Sequence, residues 1–300
     1  MTFRSAPSPL ARYARELGWR AYAIPILLVI TIWVLVDVFT SPGGSREAAE
    51  TSVSATSETR DGAGTEGRPG PDPADDPEQK LAVNQLPPGG PYAERGEGTY
   101  RTVGTPGMTA GEGAETVVRF VVEVENGVDT AGVGGDDALS AMVDATLSNP
   151  KGWTNDKAYR FEHVGPEDNP DMRIRLTSVG TTRDICGGEE LELETSCHIR
   201  LDDVSHVILN ESRWVRGAAP FNGDLGSYRQ YLVNHEVGHG LGYAAHEACG
   251  ADGALAPVMM QQTLSLTNAE LHSLNSDEVY PDEPVTCVYN PWPYPRPAVL

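Results

Sequence analysis

The chain has 300 residues, 43 acidic against 22 basic side chains, and a formal net charge of −21. A surface this acidic repels nucleic acid and anionic lipid, so neither is an expected partner, and solubility is the ordinary role of the charge. With hydrophobic residues at 39%, the chain is also too apolar to be disordered throughout.

Residues 1–20 form a short stub that carries Arg4, Arg12, Arg15 and Arg20. Residues 21–39, from Ala21 to Phe39, are almost wholly apolar and long enough to cross a hydrocarbon core of about 30 Å. Arginines before the span place the N-terminus in the cytoplasm and the rest of the chain outside. A cleaved signal peptide is the rival reading, but its apolar region would be unusually long and no small-x-small cleavage site follows. The expectation is therefore a single-pass anchor in the cell membrane. Residues 40–113 are rich in Gly, Pro, Ser, Thr, Ala and acidic residues and poor in large apolar ones. Such a segment cannot bury enough surface to offset its ordering entropy, which predicts a disordered tether interrupted only by the small apolar island Leu81–Leu86.

A folded domain is predicted over 114–300. Thr116–Val124 has the β-branched density of a strand, and Asp136–Leu147 places Leu139, Met142, Val143 and Leu147 at helical spacing. Strands follow at Tyr159–Val164, Met172–Thr177, Leu191–Ile199 and Val204–Leu209, and then a helix that opens with Ser227 as N-cap and Gln230 three residues on. The expected fold class is α+β, a mixed twisted sheet with a functional helix and a small coil-rich C-terminal subdomain. The four cysteines all fall in this domain, as an exported protein's disulfides would. Three pairings are possible; Cys186–Cys197 with Cys249–Cys287 is preferred, the second bracketing the segment after the functional helix.

That helix carries His235-Glu236-Val237-Gly238-His239. Positions i and i+4 share a helix face, so His235 and His239 can hold one metal ion, with Glu236 beside them as a general base. Imidazole suits zinc. Gly242 stands where the helix should stop, because glycine takes the left-handed conformation at little cost. In the metzincin pattern H-E-x-x-H-x-x-G-x-x-H the third ligand would fall at Ala245, which cannot bind metal; His246, one residue later, is the preferred third ligand and Glu247 the alternative. Met259, with Met260 as second choice, would form the methionine turn beneath the metal. His163, His198, His206 and His272 lack ligand spacing, and Trp153 and Trp214 read as core.

Leu209-Asn210-Glu211-Ser212-Arg213-Trp214, Ala219–Leu225, Tyr228–His239 and Asn290-Pro291-Trp292-Pro293-Tyr294 together resemble an uncharacterised actinobacterial, extracytoplasmic, metzincin-like domain family of unknown function. The resemblance spans roughly residues 115–295 and implies a zinc-dependent peptidase, a reading that rests on the motif. Two departures stand out: the one-residue longer step from Gly242 to His246, and an extended segment between Gln262 and Cys287. The expected activity is hydrolysis of a protein, peptide or cell-wall peptide by zinc-activated water, with Glu236 as base. The alternative is a catalytically weak or inactive zinc-binding module that recognises a cell-wall or protein partner.

Overall fold

The computed structural model of the chain describes residues 31–32, 81–187 and 195–296. The predicted stub, nearly all of the predicted anchor at 21–39 and the tether at 40–80 lie outside the described residues. Among the described residues no helix is long and apolar enough to cross a membrane.

Strand β3, Thr116–Glu125, is the spine of the domain. From Phe120 onward every residue of it is buried, as expected for a strand covered on both faces. It runs parallel to β4 (Tyr159–His163) on one side and β5 (Met172–Thr177) on the other, and β5 runs parallel to β7 (Val204–Asn210). Strand β6, Cys197–Leu201, closes that side as an antiparallel edge. The fold is thus α+β; among the described residues the mixed sheet has seven strands, six in the order β2-β4-β3-β5-β7-β6, with β2 (Thr109–Gly111) at the far edge, and a seventh, β1 (Tyr100–Val103), paired with β3 off this path.

Two strands correct the predicted tether. Strand β1, Tyr100–Val103, pairs antiparallel with the second half of β3, and β2, Thr109–Gly111, pairs antiparallel with β4. Both lie within 40–113, so the ordered domain begins well before residue 114. Strands of four and three residues leave no periodic signal of their own; their partners, at least 19 residues away, supply the order. Upstream, the Ala93 N–H donates to Glu211 Oε2 (3.0 Å) and the Arg213 guanidinium donates to Asn84 O (3.1 Å). Those bonds also account for the order near the Leu81–Leu86 island.

Helix α1, Asp136–Leu147, matches its predicted span and buries Leu139, Val143 and Leu147. Its first residue, Asp136, accepts two hydrogen bonds from Arg101 of β1, at 2.9 and 3.0 Å, which tie β1 to the helix. Helices α2 (Val179–Cys186) and α3 (Glu211–Arg216) were not evident in the sequence. Asn210 caps α3 by accepting from Ser212 N, so the Leu209–Trp214 signature is a strand end turning into a short helix. Helix α4, Leu225–Gly240, packs across α1, β6 and β7. The main core joins α1, α4 and one face of the sheet, with Trp153 and Trp214 buried in it. A second, smaller core gathers Cys249, Met260, Leu264, Leu271 of helix α5 (Asn268–Leu274), Tyr280 and Cys287. Both preferred disulfides form, Cys186–Cys197 and Cys249–Cys287, and the latter lies inside this second core.

Candidate metal centre

The start of α4 differs from expectation. Asp224, not Ser227, is the N-cap: its carboxylate accepts from the Ser227 N–H at 2.9 Å, which puts Ser227 at the third helical position. The preceding residues explain the shift. Asn222 and Gly223 both take positive φ (50° and 82°), ending the turn before them and delivering Asp224 to a helix end whose dipole favours a carboxylate. The other carboxylate oxygen accepts from Tyr289 Oη at 3.3 Å, so the cap also holds the C-terminal segment.

The end of α4 follows expectation. Gly242 has φ of +104°, Tyr243 N donates to Gly238 O and Gly242 N donates to His239 O. This is the Schellman arrangement, in which the left-handed residue turns the chain back on the helix. The reversal brings His246 against the helix. The three imidazole rings of His235, His239 and His246 then sit with centroids 4.8, 5.5 and 5.4 Å apart, and one nitrogen from each lies within 4.8 Å of the others. The longer step from Gly242 is taken up by Ala244 and Ala245, both exposed. Glu247 is exposed too and stays out of the cluster; its backbone N–H donates to Met259 O.

Each ring is oriented through Nδ1. His235 Nδ1 bonds Val258 O (2.9 Å), His239 Nδ1 bonds Tyr243 O (2.9 Å), and His246 Nδ1 bonds the Glu278 carboxylate (3.2 Å). Two carbonyls and a carboxylate can only accept, so each Nδ1 carries the hydrogen and each Nε2 keeps its lone pair. Three Nε2 lone pairs therefore face a common centre. Burial, then the neighbouring imidazole, hold His235 and His239 below the usual histidine range, which favours the neutral, ligating form. The donor set, three neutral imidazoles each braced by a second partner, fits zinc.

Glu236 is buried beside the cluster, and burial alone pushes its carboxyl up to about 8. A dication nearby would favour its ionised form. The cluster opens into a cleft of about 370 Å³, lined by Ser196, by Cys197 and His198 of the edge strand, by Glu236 on the helix and by Gln261. A larger groove, about 500 Å³, runs along Asn155, Leu255 and Tyr294, but none of the clustered histidines lines it.

Pro257–Met260 is a tight turn closed by Met260 N to Pro257 O, and it touches both ligand segments: Val258 O takes the His235 bond and Met259 O the Glu247 bond. Met259 Sδ lies 2.6 Å from where a Cβ on Gly238 would be, so the helix and the turn meet through that missing side chain. Met260 faces the second core instead. Sequence reasoning missed Glu278, 32 residues from its histidine, and set His198 aside for lack of spacing although it lines the cleft. Neither position carries a local signal; the fold alone brings them in.

A family model described as a protein of unknown function (DUF3152) matches residues 86–295. No curated protein matches the chain, and no solved structure does. The match covers both corrected strands, the helix with its histidines, and the second core, and the chain belongs to the DUF3152 family.

Proposed function

We propose that this chain is a zinc-dependent peptidase of metzincin-like type, held at the cell membrane by its apolar segment 21–39 and acting outside the cell. The observation that carries the reading is the convergence of one ring nitrogen from each of three histidines beside a buried glutamate at the wall of an open cleft. His235, His239 and His246 would hold the metal. When bound, zinc supplies Lewis acidity, lowering the pKa of a water toward 7 and polarising a carbonyl. Glu236 takes the proton of the attacking water and returns it to the leaving amine. It follows a ligand on the helix, so it reaches the reacting water without ligating the metal itself. Met259 and its turn keep the first and third histidines in place. Among the described residues the outer edge of β6 pairs with no strand, and an extended peptide can add to such an edge. The two disulfides support an oxidising, extracellular setting.

The test is hydrolysis of casein, a peptide library and purified cell wall by the full chain, with and without chelator, alongside Glu236→Ala. Chelator-sensitive cleavage that Glu236→Ala abolishes while keeping its zinc is expected. A zinc-loaded chain inactive on all three substrates overturns the reading in favour of a binding module.

A further inference from the structure

The cleft lined by the clustered histidines contains one more imidazole. His198, on the edge strand β6, accepts or donates one bond, between its Nε2 and Ser205 Oγ, at 2.7 Å. Ser205 is buried, and among the described residues its hydroxyl has no other acceptor. A buried hydroxyl spends its hydrogen on the acceptor it has, so Ser205 donates to Nε2. That leaves the hydrogen of the neutral ring on Nδ1. Burial holds His198 below the usual histidine range, with the charge of Arg200 adding to it, so the ring is neutral near pH 7. The Cδ2 edge of the ring lies over Gly240, 3.6 Å from where a Cβ would be, and Ser205 Oγ lies 2.9 Å from that same point. Glycine at the end of α4 therefore leaves room for Met172 Cε, 2.7 Å from that point, and for the Ser205 hydroxyl that His198 bonds. The other side of the ring carries Nδ1, which has no hydrogen-bond partner among the described residues and is not enclosed. His198 lines the same cleft as Glu236 and the three clustered histidines.

We propose that His198 is a further catalytic residue of this site: its Nδ1–H donates to the oxygen of the scissile carbonyl as negative charge develops there. No proton is transferred at His198; it acts as a fixed dipole aimed at the transition state, with Ser205 setting its tautomer. The inference rests on the peptidase reading above, and the experiment separates the two.

The full chain labelled with ¹⁵N-histidine, free of metal, reports the tautomer by long-range proton–nitrogen correlation. A protonated Nδ1 on His198, lost as a single form in Ser205→Ala, is expected; a protonated Nε2 overturns the proposal. In the zinc-loaded chain, His198→Phe should lower kcat about 100-fold with KM little changed, the usual effect of losing one such donor. His198→Asn, which puts an amide N–H near the same place, should recover part of the loss. A phosphinic peptide, whose tetrahedral phosphorus carries the matching oxygens, should bind His198→Phe about 100-fold more weakly while its zinc content is unchanged. If the parent chain cleaves peptides and His198→Phe cleaves as fast, His198 is not catalytic and the peptidase reading stands. If the parent chain cleaves nothing, that reading fails, and phosphinic peptide binding that is absent or unchanged in His198→Phe overturns this proposal as well.

Discussion

Replacing both Cys249 and Cys287 by serine tests how the second core supports the histidine cluster. The bridge spans 38 residues, and both sulfurs are buried in the cluster that holds Met260 and Tyr280. Closing a loop of that length removes about 4 kcal/mol of unfolded-chain entropy at 25 °C, against about 3 kcal/mol for the 11-residue Cys186–Cys197 loop. For a domain of this size about 4 kcal/mol lowers Tm by roughly 8–16 °C. The site should feel the loss, because His246 stands three residues before Cys249. The Cys249 backbone is clamped by Asn268 through bonds of 2.9 and 3.0 Å, and Glu278, which orients His246, lies within the bridged loop. The double serine variant should therefore lose both thermal stability and zinc affinity, whereas Cys186→Ser with Cys197→Ser should lose less Tm. Calorimetry of the metal-free chain and competition for zinc with a chromogenic chelator measure the two quantities. Unchanged zinc affinity, or a Tm drop smaller than that of the short-loop variant, would refute the link between this core and His246.

Glu278→Ala should weaken zinc binding about 10- to 100-fold without unfolding the chain, since it removes only the brace on His246 Nδ1; competitive titration reads it. Gly238→Ala adds a Cβ 2.6 Å from Met259 Sδ and 2.7 Å from the Trp153 ring. Overpacking of about 1–3 kcal/mol should exceed the gain in helix propensity of about 1 kcal/mol, and Tm should fall; a higher Tm would mean that helix and turn are not in contact. Burial raises the Glu211 carboxyl to about 7, so the folded chain keeps a proton that the unfolded chain has released. Stability contributed by the neutral acid is complete below the unfolded carboxyl range and lost as pH climbs through about 7. Glu211→Gln should flatten that part of the stability profile in urea titrations, and an unchanged profile would remove Glu211 as the cause.

What the sequence discloses here is what repeats or caps locally. Asp136–Leu147 shows its helical period, β3 its valines, and His235-Glu236-x-x-His239 its shared face, so each was legible at or near its true bounds. Gly242 was legible for the same reason, because a left-handed turn needs a glycine within one or two positions. The order of β1 and β2 was not: their residues are short, polar and glycine-broken, and only pairing with β3 and β4 makes them strands. The cap on α4 was misplaced because Ser227 and Gln230 satisfy a local pattern, whereas Asp224 wins through the left-handed pair Asn222–Gly223 before it and the Tyr289 bond from far down the chain. Glu278 and His198 reach the centre across 32 and 41 residues from the histidines beside them, His246 and His239, and no pattern in one dimension marks such partners. His246 fell between the two cases: its type was evident, but its arrival depended on whether a loop of exposed alanines could carry one extra residue.

On the proposed reading, one zinc held by three histidines makes this chain a hydrolase. The direct measurement is a titration of the metal-free full chain with zinc while peptide cleavage is followed in the same sample. Activity rising in proportion to added zinc and levelling at one ion per chain, with none regained by His246→Ala, is the predicted result. Binding of one zinc without cleavage, or full activity in the metal-free chain, would contradict it.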